Sequence, residues 1–261
     1  AGPTTMKHGK WLYYDRDGKL EEERNYYKDL LHGKVVLFYP NSKPKQEGYF
    51  VLNHPDSVFR EWNETGRLAV EGKYQYGKPN GTWTYYYLDG RKKSEEIVKD
   101  GVNLMESFWL PDSTHKQTVI NGTGEMATFY TTGTLKEWYH FKDGLKHGPF
   151  EEWSIYGYKT LTGSFLNGEK DGEWHFHFYS GKLDKVSNYV NGKLDGPYKN
   201  YFETGKLYAE GIYKEGKKSG KWNWYTSEGT RDMEGSCVED MQDGKWTDWF
   251  ATGEVSYTAN Y

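Results

Sequence analysis

A 24-residue period runs through this chain, and nothing else in the sequence restricts its fold as much. A small or turn-forming residue followed by Gly recurs at His8-Gly9, His32-Gly33, Asn80-Gly81, His147-Gly148, Asp171-Gly172, Asp195-Gly196, Ser219-Gly220 and Asp243-Gly244. Starts at 8, 32, 56 and 80 are 24 apart, as are those at 123, 147, 171, 195, 219 and 243. The 43 residues between 80 and 123 are five short of two periods. Residues 104–122 therefore form one shortened, degenerate repeat beside ten clear ones, with repeats one to four over 8–103 and six to eleven over 123–261. A unit this short cannot bury a core alone, so neighbouring units must stack into one continuous repeat domain.

With the opening residue as position 1, position 4 is bulky and apolar in all ten clear repeats, from Trp11 and Val35 to Trp222 and Trp246. Position 7 is aromatic in nine, with His177 the exception. Position 11 is Gly in nine, with Ser42 the tenth, and position 22 is Gly in six, four of them after Asp or Asn. These glycines supply the positive φ that tight hairpin turns require. They bracket two aromatic-rich runs, positions 3–8 and 13–20, each of strand length. Positions 13, 17 and 19 are an even number apart and share a face on a regular strand. Gly at 17 (Gly48, Gly72, Gly163, Gly211, Gly235) leaves room there for a neighbouring ring. Positions 4 and 7 are an odd number apart, so either both faces carry rings or a bulge kinks each first strand between them. The mostly polar position 5 favours the kink. Helices are excluded by a Gly every ten residues or so. The expected fold is all-β: tandem 24-residue β-hairpins in an elongated, twisted antiparallel meander.

Composition narrows the partner classes. Aromatics make up 18% of a chain whose mean hydropathy is −0.98, which disordered sequences do not show. The net charge of −4, from 34 basic and 38 acidic residues, argues against nucleic acid and makes a membrane surface an unfavourable partner. One cysteine, Cys237, rules out an internal disulfide framework. Residues 1–7 read as a tag remnant or as the stub left after removal of a signal peptide. The compartment is left open, with a lean toward the cell envelope and the cytoplasm as the alternative.

No pattern points to catalysis, and the chain is expected to be neither an enzyme nor a holder of a cofactor or metal. The glycine turns lead into no helix that could cradle a phosphate. Asp15-Arg16-Asp17-Gly18 hints at a calcium loop, but Arg24 stands where its Glu belongs. His175 and His177 share a strand face, yet two ligands do not make a zinc site. His8, His32 and His147, at position 1, read as turn residues. Cys237 fills an aromatic position-19 slot and reads as a packed thiol. Two readings exist for the aromatic columns. Positions 4 and 19 read as core. The position-7 rings Tyr14, Trp62, Tyr86, Trp153, Tyr201, Tyr225 and Trp249 are the candidate interaction surface, a stripe suited to a protein or a sugar chain.

The phasing is cleanest in residues 171–194 (DGEWHFHFYSGKLDKVSNYVNGKL) and 195–218 (DGPYKNYFETGKLYAEGIYKEGKK). This pattern resembles the variant MORN repeat of bacterial proteins from His8 to Tyr261, failing only over residues 104–122. The resemblance implies one hairpin per repeat and a structural or adaptor role, and many bacterial members carry a generic antitoxin label. It brings no catalytic motif. The first expectation is therefore a non-enzymatic protein-interaction scaffold, including antitoxin- or immunity-type binding of a protein partner. The alternative is a carbohydrate- or cell-wall-binding array, and the second alternative is phospholipid binding. The oligomeric state is left open.

Overall fold

The computed structural model describes residues 6–261, and residues 1–5 of the N-terminal lead lie outside the described residues. Among the described residues there are 22 β-strands and no helix. The chain falls into two compact units, residues 1–124 and 125–261. In the first, the strands from Gly9–Tyr14 to Gln117–Ile120 each pair antiparallel with the next. In the second, those from Leu135–Lys142 to Val255–Asn260 do the same. This is the hairpin meander the period demands.

Both turn rows follow from left-handed backbone chemistry. Positions 21 and 22 have positive φ throughout, as at Asn167 (51°) and Gly168 (91°) or Lys28 (50°) and Asp29 (67°), the signature of two-residue type I′ hairpins. At the other edge, position 11 is left-handed even where it is Ser42 (φ 62°). There the position-8 amide donates to the position-12 carbonyl, as from Phe202 to Lys206 at 2.8 Å. Leu52 sits in a turn at φ 50°, where a branched apolar side chain is disfavoured. Leu52→Asn is expected to raise stability by roughly 0.5–1 kcal/mol, measured by urea denaturation.

The strands do not begin where the repeats begin. The first strand runs from position 23 of one repeat to position 7 of the next, as in Lys193–Tyr201, and the second covers positions 13–20, as in Leu207–Lys214. The expectation that position 1 is a turn is thus corrected. His32 lies inside Leu30–Phe38 and His147 inside Leu145–Trp153. The Gly that follows makes a bulge instead. Gly196 (φ 113°) lets Asp195, Gly196 and Pro197 stand opposite the single residue Asn188, whose side-chain amide donates to the Pro197 carbonyl at 3.0 Å. Asn25 fills the same bulge toward Lys34 at 2.7 Å.

A second bulge lies in the other strand. The register shifts between positions 6 and 7 of the first strand, as between Asn200 and Tyr201, with the extra residue at position 14 of its partner. The kink expected between positions 4 and 7 is therefore absent, and those two rings face opposite sides of the sheet. The same bulge separates position 13 from positions 17 and 19, which were expected to share its face.

The core is a ladder of rings on one face. Position-4 rings recur along the array, and position-19 rings stand edge-on between them. Phe150, Phe165 and Trp174 form one run (5.5 and 5.1 Å between centroids), and Tyr198, Tyr213 and Trp222 another (both 5.2 Å). Such edge-to-face pairs add about 0.5–1.5 kcal/mol each beyond area burial. Each indole lies flat on the glycine eleven residues earlier. A Cβ on Gly72, Gly163, Gly211 or Gly235 would come within 2.1–2.2 Å of the ring of Trp83, Trp174, Trp222 or Trp246. Where the ring is smaller the glycine is dispensable, as with Ser187 before Tyr198. Cys237 interrupts the position-19 rings, and Trp224 fills that stretch, 5.7 Å from Trp222 and 5.6 Å from Trp246. The thiol itself is buried, which pushes its pKa up.

Lysines at position 24 cap the ladder. Lys170 Nζ lies 4.2 Å from the Trp174 ring and 5.1 Å from Tyr189, and burial pulls its ammonium below the usual lysine range. Lys7 holds the same place over Trp11 and Tyr26, at 4.9 and 5.0 Å.

The shortened repeat loses residues in its strands and gains some in its loop. Val102–Trp109 has eight residues where most other first strands, such as Glu169–His177, have nine, and Gln117–Ile120 has four where most other second strands, such as Leu183–Val190, have eight. The loop between them, with Pro111, Asp112 and Ser113, is anchored by its neighbour. Arg91 donates to the Pro111 and Asp112 carbonyls at 2.8 and 2.7 Å, and Tyr87 Oη to that of Trp109 at 2.6 Å. Burial pushes the Tyr87 phenol up to about 12. Phe108 and Val119, 1% and 0% exposed, close the packing of this repeat.

Candidate interaction surface

The face opposite the ladder is built from positions 5, 7, 13 and 16. Lys159 at position 13 reaches Glu151 at position 5 (2.9 Å) and lies over the position-7 ring of Trp153 (5.8 Å). Arg231, also at position 13, lies over Trp249 at 5.7 Å. Tyr225 donates its hydroxyl to Glu210 at position 16 (3.0 Å), and burial together with that carboxylate raises its pKa. Successive position-7 rings are two strands apart, about 9.6 Å.

The seven stripe residues divide between the units. Tyr14, Trp62 and Tyr86 lie in the first, and Trp153, Tyr201, Tyr225 and Trp249 in the second. Tyr14 is 57% exposed, and the other six are half-buried. Two of them are tied by a tyrosine of the preceding repeat: the Tyr39 and Tyr130 hydroxyls donate to the Trp62 and Trp153 carbonyls, both at 2.8 Å. A side-chain partner across the sheet flanks each ring, Leu68 at Trp62, Leu207 at Tyr201 and Val255 at Trp249. The result is a row of rigid rings set in aliphatic and basic chains.

His177 holds the one position-7 place without a Phe, Tyr or Trp ring, and burial, with His175 and Lys159 nearby, lowers its pKa. Its neighbour His175 pairs with Glu173 at 3.0 Å. Among the described residues no group of three or more His, Cys, Asp or Glu side chains is placed to hold a metal ion. In the hinted calcium loop, Asp15 Oδ1 instead accepts the amides of Asp17 and Lys19, both at 2.9 Å, capping the turn.

Two features escaped sequence reasoning. One is the column of position-16 carboxylates beside the stripe, Glu23, Glu47 and Glu71 among them, held by Lys10 (2.8 Å), Lys34 (2.8 Å) and Arg60 (2.5 Å). The other is a cluster on adjacent turns in the second unit, where Tyr156 and Tyr179 are 78% and 82% exposed and Tyr158 is 53% exposed. The signal was present in the sequence: turns elsewhere carry Asp, Asn, Thr, Ser or Glu at position 10, and this one carries Tyr156.

Residues 7–29, 31–51 and 194–215 match the family described as MORN repeat variant, so the chain carries variant MORN repeats at three places. Such repeats form a binding or scaffold architecture. Two solved structures align over most of the chain at low likeness. One, titled "Crystal Structure of TcdB2-TccC3-Cdc42", is 12% identical over 96% of this chain and 17% of that one, with a TM-score of 0.21. The other, "Crystal Structure of TcdB2-TccC3-TEV", is 10% identical over 93% and 20%, with a TM-score of 0.17. The chain thus spans a fifth or less of those chains. No curated protein matches it.

Proposed function

We propose that this array of variant MORN repeats is a non-enzymatic scaffold that binds a protein partner along its position-7 stripe, in the manner of an antitoxin or immunity protein. The supporting observation is the division of labour between faces. The ladder face consumes the position-4 and position-19 rings in the core, whereas Trp153, Tyr201, Tyr225 and Trp249 are half-open on the other. Tyr and Trp held rigid at the centre of a polar rim are the residues that dominate protein interfaces.

The test removes the open rings without touching the ladder. Affinity capture would compare the wild type with a Trp153→Ala/Tyr201→Ala/Tyr225→Ala/Trp249→Ala variant. A stoichiometric partner held by the wild type and lost from the variant, with the same far-UV spectrum for both, is the expected result. Selective glycan binding by the wild type, with no protein retained, would select the carbohydrate reading instead.

A further inference from the structure

We propose that a cavity on the ladder face of the first unit binds an alkylammonium group, that is, a quaternary or methylated amine. It lies away from the position-7 stripe, so it stands or falls independently of the scaffold reading.

The repeats themselves provide the template. Where position 24 is lysine, its ammonium rests on ladder rings: Lys146 is 5.2 Å from Phe165, Lys170 is 4.2 Å from Trp174, and Lys218 is 4.8 Å from Trp222. In the repeat that starts at residue 56, this lysine is replaced by Pro55. The ring pair remains, with Phe59 and Tyr74 edge to face at 5.8 Å. Gly48 also remains, but Phe59 stands where Gly72, Gly163, Gly211 and Gly235 each face an indole. A Cβ on Gly48 would lie 3.7 Å from Phe59, against 2.2 Å between Gly72 and Trp83.

Losing both the lysine and the indole leaves a cavity of about 210 Å³, lined by Gly48, Phe50, Pro55, Asp56, Phe59 and Tyr74 among others. A cavity of about 150 Å³ is enough to hold benzene. This one is not purely apolar. Asp56 also borders it, with a carboxylate that accepts from Ser57 Oγ at 2.9 Å and from the Tyr76 amide at 3.4 Å. Among the described residues, no Lys or Arg pairs with Asp56 or lies over Phe59 or Tyr74. Three aromatic rings, with no cation of the chain over Phe59 or Tyr74 among the described residues, are the elements that recognise organic ammonium ions. The internal lysines show that these ring positions accept an ammonium in this fold.

The decisive comparison is choline against 3,3-dimethylbutan-1-ol, its neutral isostere, followed by NMR of the Phe59 and Tyr74 rings in the whole chain. Choline is expected to bind about tenfold or more tightly than the neutral alcohol. Pro55→Lys, which supplies its own ammonium, is expected to abolish choline binding. Asp56→Asn is expected to weaken it several-fold while leaving the fold, and so keeps the test open should the proline variant misfold. A trimethyllysine peptide forms a second arm: tighter binding than choline assigns the site to a modified protein side chain, and weaker binding to a free amine. Equal binding of the neutral alcohol would overturn the proposal, as would no binding at millimolar choline.

Discussion

Replacing Gly235 with alanine is expected to destabilise the second unit by about 1–3 kcal/mol, the usual range for overpacking a filled core. The new Cβ would fall 2.1 Å from Trp246 Cδ2 and 2.2 Å from Cε2, distances that no side-chain tail can relieve because the obstacle is a rigid, 5%-exposed indole. Backbone strain does not enter, since Gly235 lies outside the left-handed region. On chain entropy alone the same substitution would stabilise by about 0.4–1 kcal/mol, so the sign of the result discriminates. Trp246→Tyr should rescue the alanine, because Ser187 already tolerates Tyr198 at the equivalent pair. A urea-denaturation cycle of the two single variants and the double variant checks this. A stabilising alanine, or strictly additive changes, would show that glycine and indole are not coupled.

The larger effect is expected from Trp222→Ala, about 3–5 kcal/mol. The indole is 1% exposed and touches Tyr198, Tyr213 and Trp224 at 5.5, 5.2 and 5.7 Å. Its Nε1 is buried without a hydrogen-bond partner, so no hydrogen bond is lost, and the loss is one of packing and of the Lys218 ammonium 4.8 Å from the ring. Trp11 holds the same repeat position but is 41% exposed, and Trp11→Ala should lose under about 1.5 kcal/mol. Because each repeat leans mainly on its neighbours, hydrogen exchange in the first variant should rise around residues 195–246 far more than in the first unit. Uniform loss of protection across both units would show instead a single cooperative core.

Much of this was legible residue by residue. The I′ turns were readable because a left-handed pair admits few residues, and Asn167-Gly168 or Asn191-Gly192 declare it. The glycine at position 17 announced a close ring, and the ring is there. The position-2 glycine misled: positive φ serves a bulge as well as a turn, and only cross-strand pairing separates the two. The bulge at position 14 was likewise silent, because an extra residue in one strand leaves no trace in its own spacing. It nevertheless decides which face receives positions 7 and 13, and hence which rings are free to bind. The caps at Lys146, Lys170 and Lys218 were hidden for a related reason, since a lysine beside a turn reads as solvated until the rings beneath it are placed.

The sequence by itself determined the 24-residue period, the hairpin turns, the room left for a ring by Gly at position 17, and the site of the five-residue deficit, because each depends on local backbone freedom or on residue size at fixed spacing. Only the tertiary structure decided where each strand begins, that rings occupy both faces, and that Pro55 leaves open a cavity which a lysine closes elsewhere. Those depend on register between strands, and register is set by bulges whose presence is a property of two chains of hydrogen bonds rather than of one run of residues.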